Sequence, residues 1–281
     1  MHRFPARQVV WGAVLWLVSA PAAWATPLYA ISFTTTEGSV LYQVDLQTGQ
    51  ASSPKTTGLD HIVGIAFGSG GVLYGLTNAT APTHPNALVV IDPVTGAAQL
   101  VGATGLQTIV EGDLAWDRTT GQLYGLYDLA SGQRRLFTLN AASGAATTLP
   151  ISLSGDPSAM AFDSAGTLYV IDTSLGRLLT VNKLTGETLA SVSLSSALGS
   201  VAGMAVEPQT HVFYVADGDS GGTDRLHSLN PPTGVLTVVG PTGLPDGLAG
   251  LAFIPEPVSL ALLGMGAMIL WGCPRKPAIG R

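Results

Sequence analysis

The sequence predicts an all-β protein: a five-bladed β-propeller whose body ends share the closing blade, flanked by a signal peptide and a C-terminal transmembrane sorting helix. Three recurrences carry the propeller. A small-apolar signature appears five times, as Gly64-Ile65-Ala66-Phe67, Asp113-Leu114-Ala115-Trp116, Ala159-Met160-Ala161-Phe162, Gly203-Met204-Ala205-Val206 and Gly250-Leu251-Ala252-Phe253. Its alanines lie 49, 46, 44 and 47 residues apart. An apolar residue followed by Tyr also recurs at that period, at Tyr29, Tyr74, Tyr124, Tyr169 and Tyr214. A turn pair does the same, at Thr48-Gly49, Thr95-Gly96, Ser143-Gly144, Thr185-Gly186 and Thr233-Gly234. A period of roughly 40–50 residues, repeated in three independent registers, is that of a propeller blade.

Each unit reads as four short strands. In the second they are Ile62 to Phe67, Val72 to Leu76, Ala87 to Ile91 and Ala97 to Val101, rich in Val, Leu and Tyr. Gly, Asp-Pro and Thr-Gly punctuate them, and no stretch of the body keeps a helical period. The phase predicts how the ring closes. The body starts at an apolar-Tyr strand with no strand before it, and it ends on Gly250 to Phe253 with no strand after it. One blade therefore takes its inner strand from the C-terminal end and its outer three from the N-terminal end. That closure leaves no open edge between first and last blades. The three signatures together resemble NHL and related propellers of secreted bacterial proteins.

The termini read as addresses. Arg3 and Arg7 precede an apolar core from Val9 to Val18, and Ala23-Trp24-Ala25 has the small-x-small pattern of a signal-peptidase site. Residues 1–25 are thus expected to be a signal peptide cut after Ala25, leaving a propeller over 26–254. At the other end Pro255, Glu256 and Pro257 stand before an apolar run from Val258 to Cys273, followed by Arg275 and Lys276. That run would span about 24 Å as a helix at ~1.5 Å per residue, short of a ~30 Å hydrocarbon core. Such a length suits a transient processing substrate better than a permanent anchor. Residues 255–281 resemble a PEP-CTERM sorting signal. The resemblance implies an exosortase-type processing enzyme as partner and a precursor held briefly in the inner membrane. It also implies delivery to the cell surface or exopolysaccharide matrix of a Gram-negative bacterium.

Composition narrows the rest. The body holds seven Lys and Arg against seventeen Asp and Glu, an acidic balance that argues against nucleic-acid binding. The one cysteine, Cys273, lies in the tail, so the body is held by packing and no intramolecular disulfide forms.

Candidate sites follow from the blade register. Gly218-Asp219-Ser220-Gly221-Gly222 matches the string around a trypsin-like nucleophile, but the repeat leaves no room for that double barrel and its partner histidine, so it reads as a loop. Within and beside it, Asp217, Asp219 and Asp224 supply carboxylates that suit Ca2+. Asp60 with His61, Glu111 with Asp113, Asp156, and Asp246 stand just before or within the inner strands, where they are expected to line one mouth of the central channel. A ring of such carboxylates would hold a divalent cation, which is the route to a metal-dependent, lactonase-like hydrolase. Solvated loop carboxylates are the plainer reading. Asp117, Asp163 and Glu207 follow the inner strand at one shared register and are expected to bond nearby backbone N–H groups. Phe67, Trp116, Phe162 and Phe253 are expected to pack between blades, and Arg134-Arg135 reads as a solvated pair. No catalytic residue is assigned. The function expected is a non-enzymatic, exported envelope or matrix protein that binds a polysaccharide or another envelope protein.

Overall fold

The structure, a computed structural model, describes residues 26–33, 37–128, 134–217, 224–244 and 247–255. The expected leader with Ala25, the expected sorting residues Glu256, Pro257, Arg275 and Lys276, and the candidates Asp219 and Asp246 lie outside the described residues. Among those residues no helix is long and apolar enough to cross a membrane.

Among the described residues twenty strands form five four-stranded sheets. Blade 1 joins β20 (Leu248–Phe253), innermost, to β1 (Leu28–Ser32), β2 (Val40–Val44) and β3 (Ala51–Thr56). Leu28 faces Phe253 and Ala30 faces Leu251 across the antiparallel β1–β20 pair. The body is a five-bladed propeller, and both its ends meet in one sheet as the phase of the repeat predicts. Blade 2 is β4 (Ile62–Phe67), β5 (Leu73–Thr77), β6 (Ala87–Ile91) and β7 (Ala98–Ala103). Blade 3 is β8 (Gly112–Asp117), β9 (Gln122–Asp128), β10 (Arg134–Leu139) and β11 (Ala146–Leu153). Blade 4 is β12 (Pro157–Phe162), β13 (Leu168–Asp172), β14 (Arg177–Val181) and β15 (Thr188–Ser193). Blade 5 is β16 (Val201–Val206), β17 (Phe213–Asp217), β18 (Arg225–Asn230) and β19 (Val235–Pro241).

A four-stranded sheet cannot bury both faces alone, so each face packs on the next blade and the core divides into five wedges. One wedge sets Tyr29, Ile31 and Leu41 of blade 1 against Ile62, Ile65 and Val89 of blade 2. The wedge between blades 5 and 1 holds Tyr214 and Leu226 against Leu28, Leu251 and Phe253, so β20 is glued from both sides. The aromatic residues of the inner strands recur at these joints. Phe67 packs edge-on against Tyr29 at 5.4 Å, while Phe162 against Tyr124 at 5.1 Å and Phe253 against Tyr214 at 5.7 Å are tilted pairs. Blade 5 departs from the rule, with Val206 where the others carry an aromatic. There Phe213, which pairs with Val206 and stands where other blades have Leu, covers Tyr169 at 5.2 Å instead. The aromatic ring has moved one strand over without leaving its wedge.

The outer rim is latched by main chain. The Ala51, Ala98 and Ala146 N–H groups donate to the Thr242, Thr57 and Thr104 carbonyls of the preceding blade, at 2.9, 3.0 and 2.9 Å. Ile151 donates to Thr185 at 3.1 Å, and Ser195 to Gly234 at 2.9 Å, which completes the circle. The Thr-Gly turns make these latches. In each, an Asp or Asn such as Asp45 accepts N–H bonds from the turn, and the closing Gly has positive φ. At Gly144 a side chain would also lie 2.4 Å from the Gly102 carbonyl of blade 2.

His227 is the polar exception inside a wedge. It occupies the place of Tyr42, Val89, Phe137 and Leu179 in the other third strands. The residue is 7% exposed, and neither ring nitrogen has a hydrogen-bond partner. Burial lowers its pKa below 6.5, with Asp217 pulling it up and Arg225 down. Its folded pKa is therefore depressed, so the related stability is full above about 6.5 and is lost as pH falls through the folded value. His227→Leu is expected to raise stability by about 1 kcal/mol at pH 7 by removing buried unpaired nitrogens. It should also flatten the loss between pH 7 and pH 5. Urea melts of both proteins at the two pH values check this, and unchanged midpoints would contradict it.

Candidate functional site

The free edges of β4, β8, β12, β16 and β20 surround the axis, and the two mouths of the channel differ. At the mouth where these strands begin stand the carboxylates singled out in the sequence. Glu111 and Asp156 do come together, but around a guanidinium: Arg134 Nη2 lies 2.5 Å from Asp156 Oδ1 and 3.6 Å from Glu111 Oε2. Arg134 also donates to the Pro157 carbonyl at 2.9 Å. Its side chain is 14% exposed, so the expectation of a solvated Arg134 is corrected: an acidic pair from neighbouring blades needs a counter-charge, and Arg134 supplies it. Asp60 is half-buried beside Gly38. Among the described residues no three side chains of metal-ligating type converge.

Asp113 is not at a mouth at all. It is fully buried at the level of Gly64, Ala159, Gly203 and Gly250, where inner strands approach so closely that a side chain on Gly203 would meet Leu251 N at 2.6 Å. Its Oδ1 accepts the Leu114 N–H at 2.8 Å and its Oδ2 the Met160 N–H at 2.9 Å, and the Met204 N–H adds its pull on the same carboxyl. Burial pushes this carboxyl well above the ordinary 3.8, against the pull of the three N–H donors. Asp113 is the one charged residue at its place in the repeated signature, but strand spacing alone does not say how deep in the channel that register lies. The loop carboxylates are engaged as well. Asp217 Oδ1 accepts N–H bonds from Gly199 and Ser200, each at 3.1 Å, and Asp224 is buried.

The opposite mouth opens into a funnel of about 620 Å³, counted out to its open rim. Ile65, Leu114, Met204 and Leu251 line its deeper part, and Phe67, Trp116, Phe162 and Phe253 form a collar above them. Trp116 is the least buried of the four aromatics. Arg118, Ser164 and His211, all exposed, stand on the rim with Pro208 and Pro255. Pro255, the first residue of the expected sorting motif, thus borders the funnel. Sequence reading placed the aromatics between blades, which holds, but missed the funnel, because period and pattern do not reveal which mouth widens.

The acidic residues just behind the collar are occupied. Burial raises the Asp117 carboxyl, but Lys183 at 2.6 Å and the Thr119 and Thr120 donors overcome it and leave the pKa at about 2. Lys183 comes from blade 4 and also lies 5.7 Å from the Phe162 ring centre, so it ties blades 3 and 4. Asp163 accepts the Ala165 and Thr167 N–H groups at 3.0 and 2.8 Å, and Glu207 bonds the Thr210 hydroxyl. Asp117 and Asp163 bind their own turns as expected.

No family model matches this chain, and no curated protein matches it. Its fold has relatives among solved structures. A chain in the crystal structure of a nidogen/laminin complex aligns with TM-score 0.54 and 12% identity, over 82% of this chain and 99% of that one. A protein of unknown function from Bacteroides caccae aligns with TM-score 0.52 and 12% identity, over 82% of this chain and 100% of that one. At such identities the likeness shows the propeller fold alone.

Proposed function

We propose that this chain is an exported, non-enzymatic binding propeller of the cell envelope or extracellular matrix, carrying a saccharide unit of a polysaccharide in the funnel. One observation carries the reading. The funnel joins an apolar floor and a partly exposed indole to three exposed polar rim groups, Arg118, Ser164 and His211. A sugar ring offers an apolar face that stacks on an aromatic surface and equatorial hydroxyls that meet polar groups at the edge. The nearby carboxylates that acid–base chemistry would recruit are committed to Lys183, to their own turns or to the axis.

Delivery follows from the PEP-CTERM-like tail, with signal peptidase acting after Ala25 and an exosortase-type enzyme acting at Pro255, Glu256 and Pro257. Mass spectrometry of the surface form checks that route: its C-terminus should lie upstream of Arg275 and Lys276, and an intact Arg281 would contradict processing. For the ligand, the full chain is titrated with matrix polysaccharide from the producing cells. Trp116→Ala and Arg118→Ala should each weaken binding by about tenfold, or ~1.4 kcal/mol. Affinity unchanged from the native chain in both variants, or polysaccharide cleavage that needs Ca2+, would overturn the reading in favour of another surface or of hydrolysis.

A further inference from the structure

The five inner strands each turn an unpaired edge toward the axis, because every one of them is the terminal strand of its sheet. Main-chain N–H groups on such an edge, once buried, need an acceptor. Near the middle of the channel the spacing between strands is uneven. Side chains on Gly64, Gly203 and Gly250 would run into the backbone of the neighbouring inner strand at 2.6, 2.6 and 2.9 Å. The joint between blades 3 and 4 instead admits a whole Asp side chain, whose two oxygens accept N–H groups of blades 3 and 4, with the Met204 N–H of blade 5 acting on the same carboxyl. Asp113 is fully buried, so its carboxyl has no contact with either mouth, and Leu114 and Met204 lie between it and the funnel.

We propose that the propeller axis is a receptor for a single carboxyl group, built from the Leu114, Met160 and Met204 N–H groups and filled in this chain by Asp113. The ligand class is a small carboxylic acid, and the chain carries its own, tethered. Two acceptor oxygens on one planar carbon match donors converging from three strands. An amide of the same shape presents an NH2 group to one of those donors and is rejected. A carboxyl fixed at this level also makes the funnel blind, so the ligand proposed above has one way in and out.

The test empties the receptor and refills it. In the full chain, Asp113→Gly places at blade 3 the residue that blades 1, 2 and 5 already carry. The variant should melt lower than the native chain. Sodium formate should raise its Tm saturably, while formamide and ionic-strength-matched sodium perchlorate should not, and the native chain should respond to none selectively. If Asp113→Gly does not fold, Asp113→Ala is refolded from urea under the same additives, since Ala159 shows that Ala fits this register. Formate-selective recovery of the fold supports the receptor. Equal recovery in formamide, or no recovery in any additive, overturns it.

Discussion

A chain stopped after residue 247 is expected to lose the native fold. It lacks β20, which is at once the inner strand of blade 1 and a wall of two wedges. Leu248, Leu251 and Phe253 are nearly fully buried, and burying each such side chain contributes roughly 1.5–3 kcal/mol. Their sum rivals the ~5–15 kcal/mol that separates a folded domain from its unfolded chain. Deleting the strand also bares the inner edge of β1 and leaves blades 5 and 2 facing an open slot, a template for association. Circular dichroism should show no cooperative melt, and size exclusion should show aggregates. A chain stopped after residue 255, which keeps β20, serves as the control. A native-like melt in the shorter protein would contradict the account.

Gly203→Val should be nearly as damaging, for a different reason. Its Cβ would lie 2.6 Å from Leu251 N and 2.7 Å from Gly250 Cα, both main-chain atoms of the next inner strand. Neither strand can retreat, because each is packed into wedges on both faces, so blades 5 and 1 must separate along their length. Overpacking of an ordinary core costs about 1–3 kcal/mol, and a clash between two backbones exceeds that. The expected outcome is a Tm lowered by more than about 10 °C, or insoluble protein, on the scale of a few degrees per kcal/mol. Gly70→Ala, in open space at φ 69°, isolates the cost of backbone conformation at about 1–2 kcal/mol. Comparable melting of the two variants would mean that the inner strands do not crowd the axis.

The architecture was legible because it is periodic. Five copies of three signatures set the number of blades, and the missing first strand and surplus last strand set the closure. In the second unit the expected Ile62 to Phe67 and Ala87 to Ile91 match the observed strands, and the other two shift by one or two residues. The site was far less legible, since it depends on departures from the period. Asp113 is the one charged residue in its register, yet only strand convergence explains why it binds main-chain N–H groups. Arg134 reads as half of a solvated basic pair because its partners, Glu111 at the start of its own blade and Asp156 at the start of blade 4, lie some twenty positions away. The exchange of Val206 and Phe213 against the pattern of the other blades was visible as two unrelated substitutions. It becomes one fact only when the pair is seen across β16 and β17.

Ring closure can be read most directly by nuclear Overhauser contacts between β1 and β20. The account predicts cross-strand main-chain contacts linking Leu28 with Phe253, Tyr29 with Ala252 and Ala30 with Leu251. Their absence, or contacts tying Leu248–Phe253 to a different strand, would contradict the shared blade and the axis built on it.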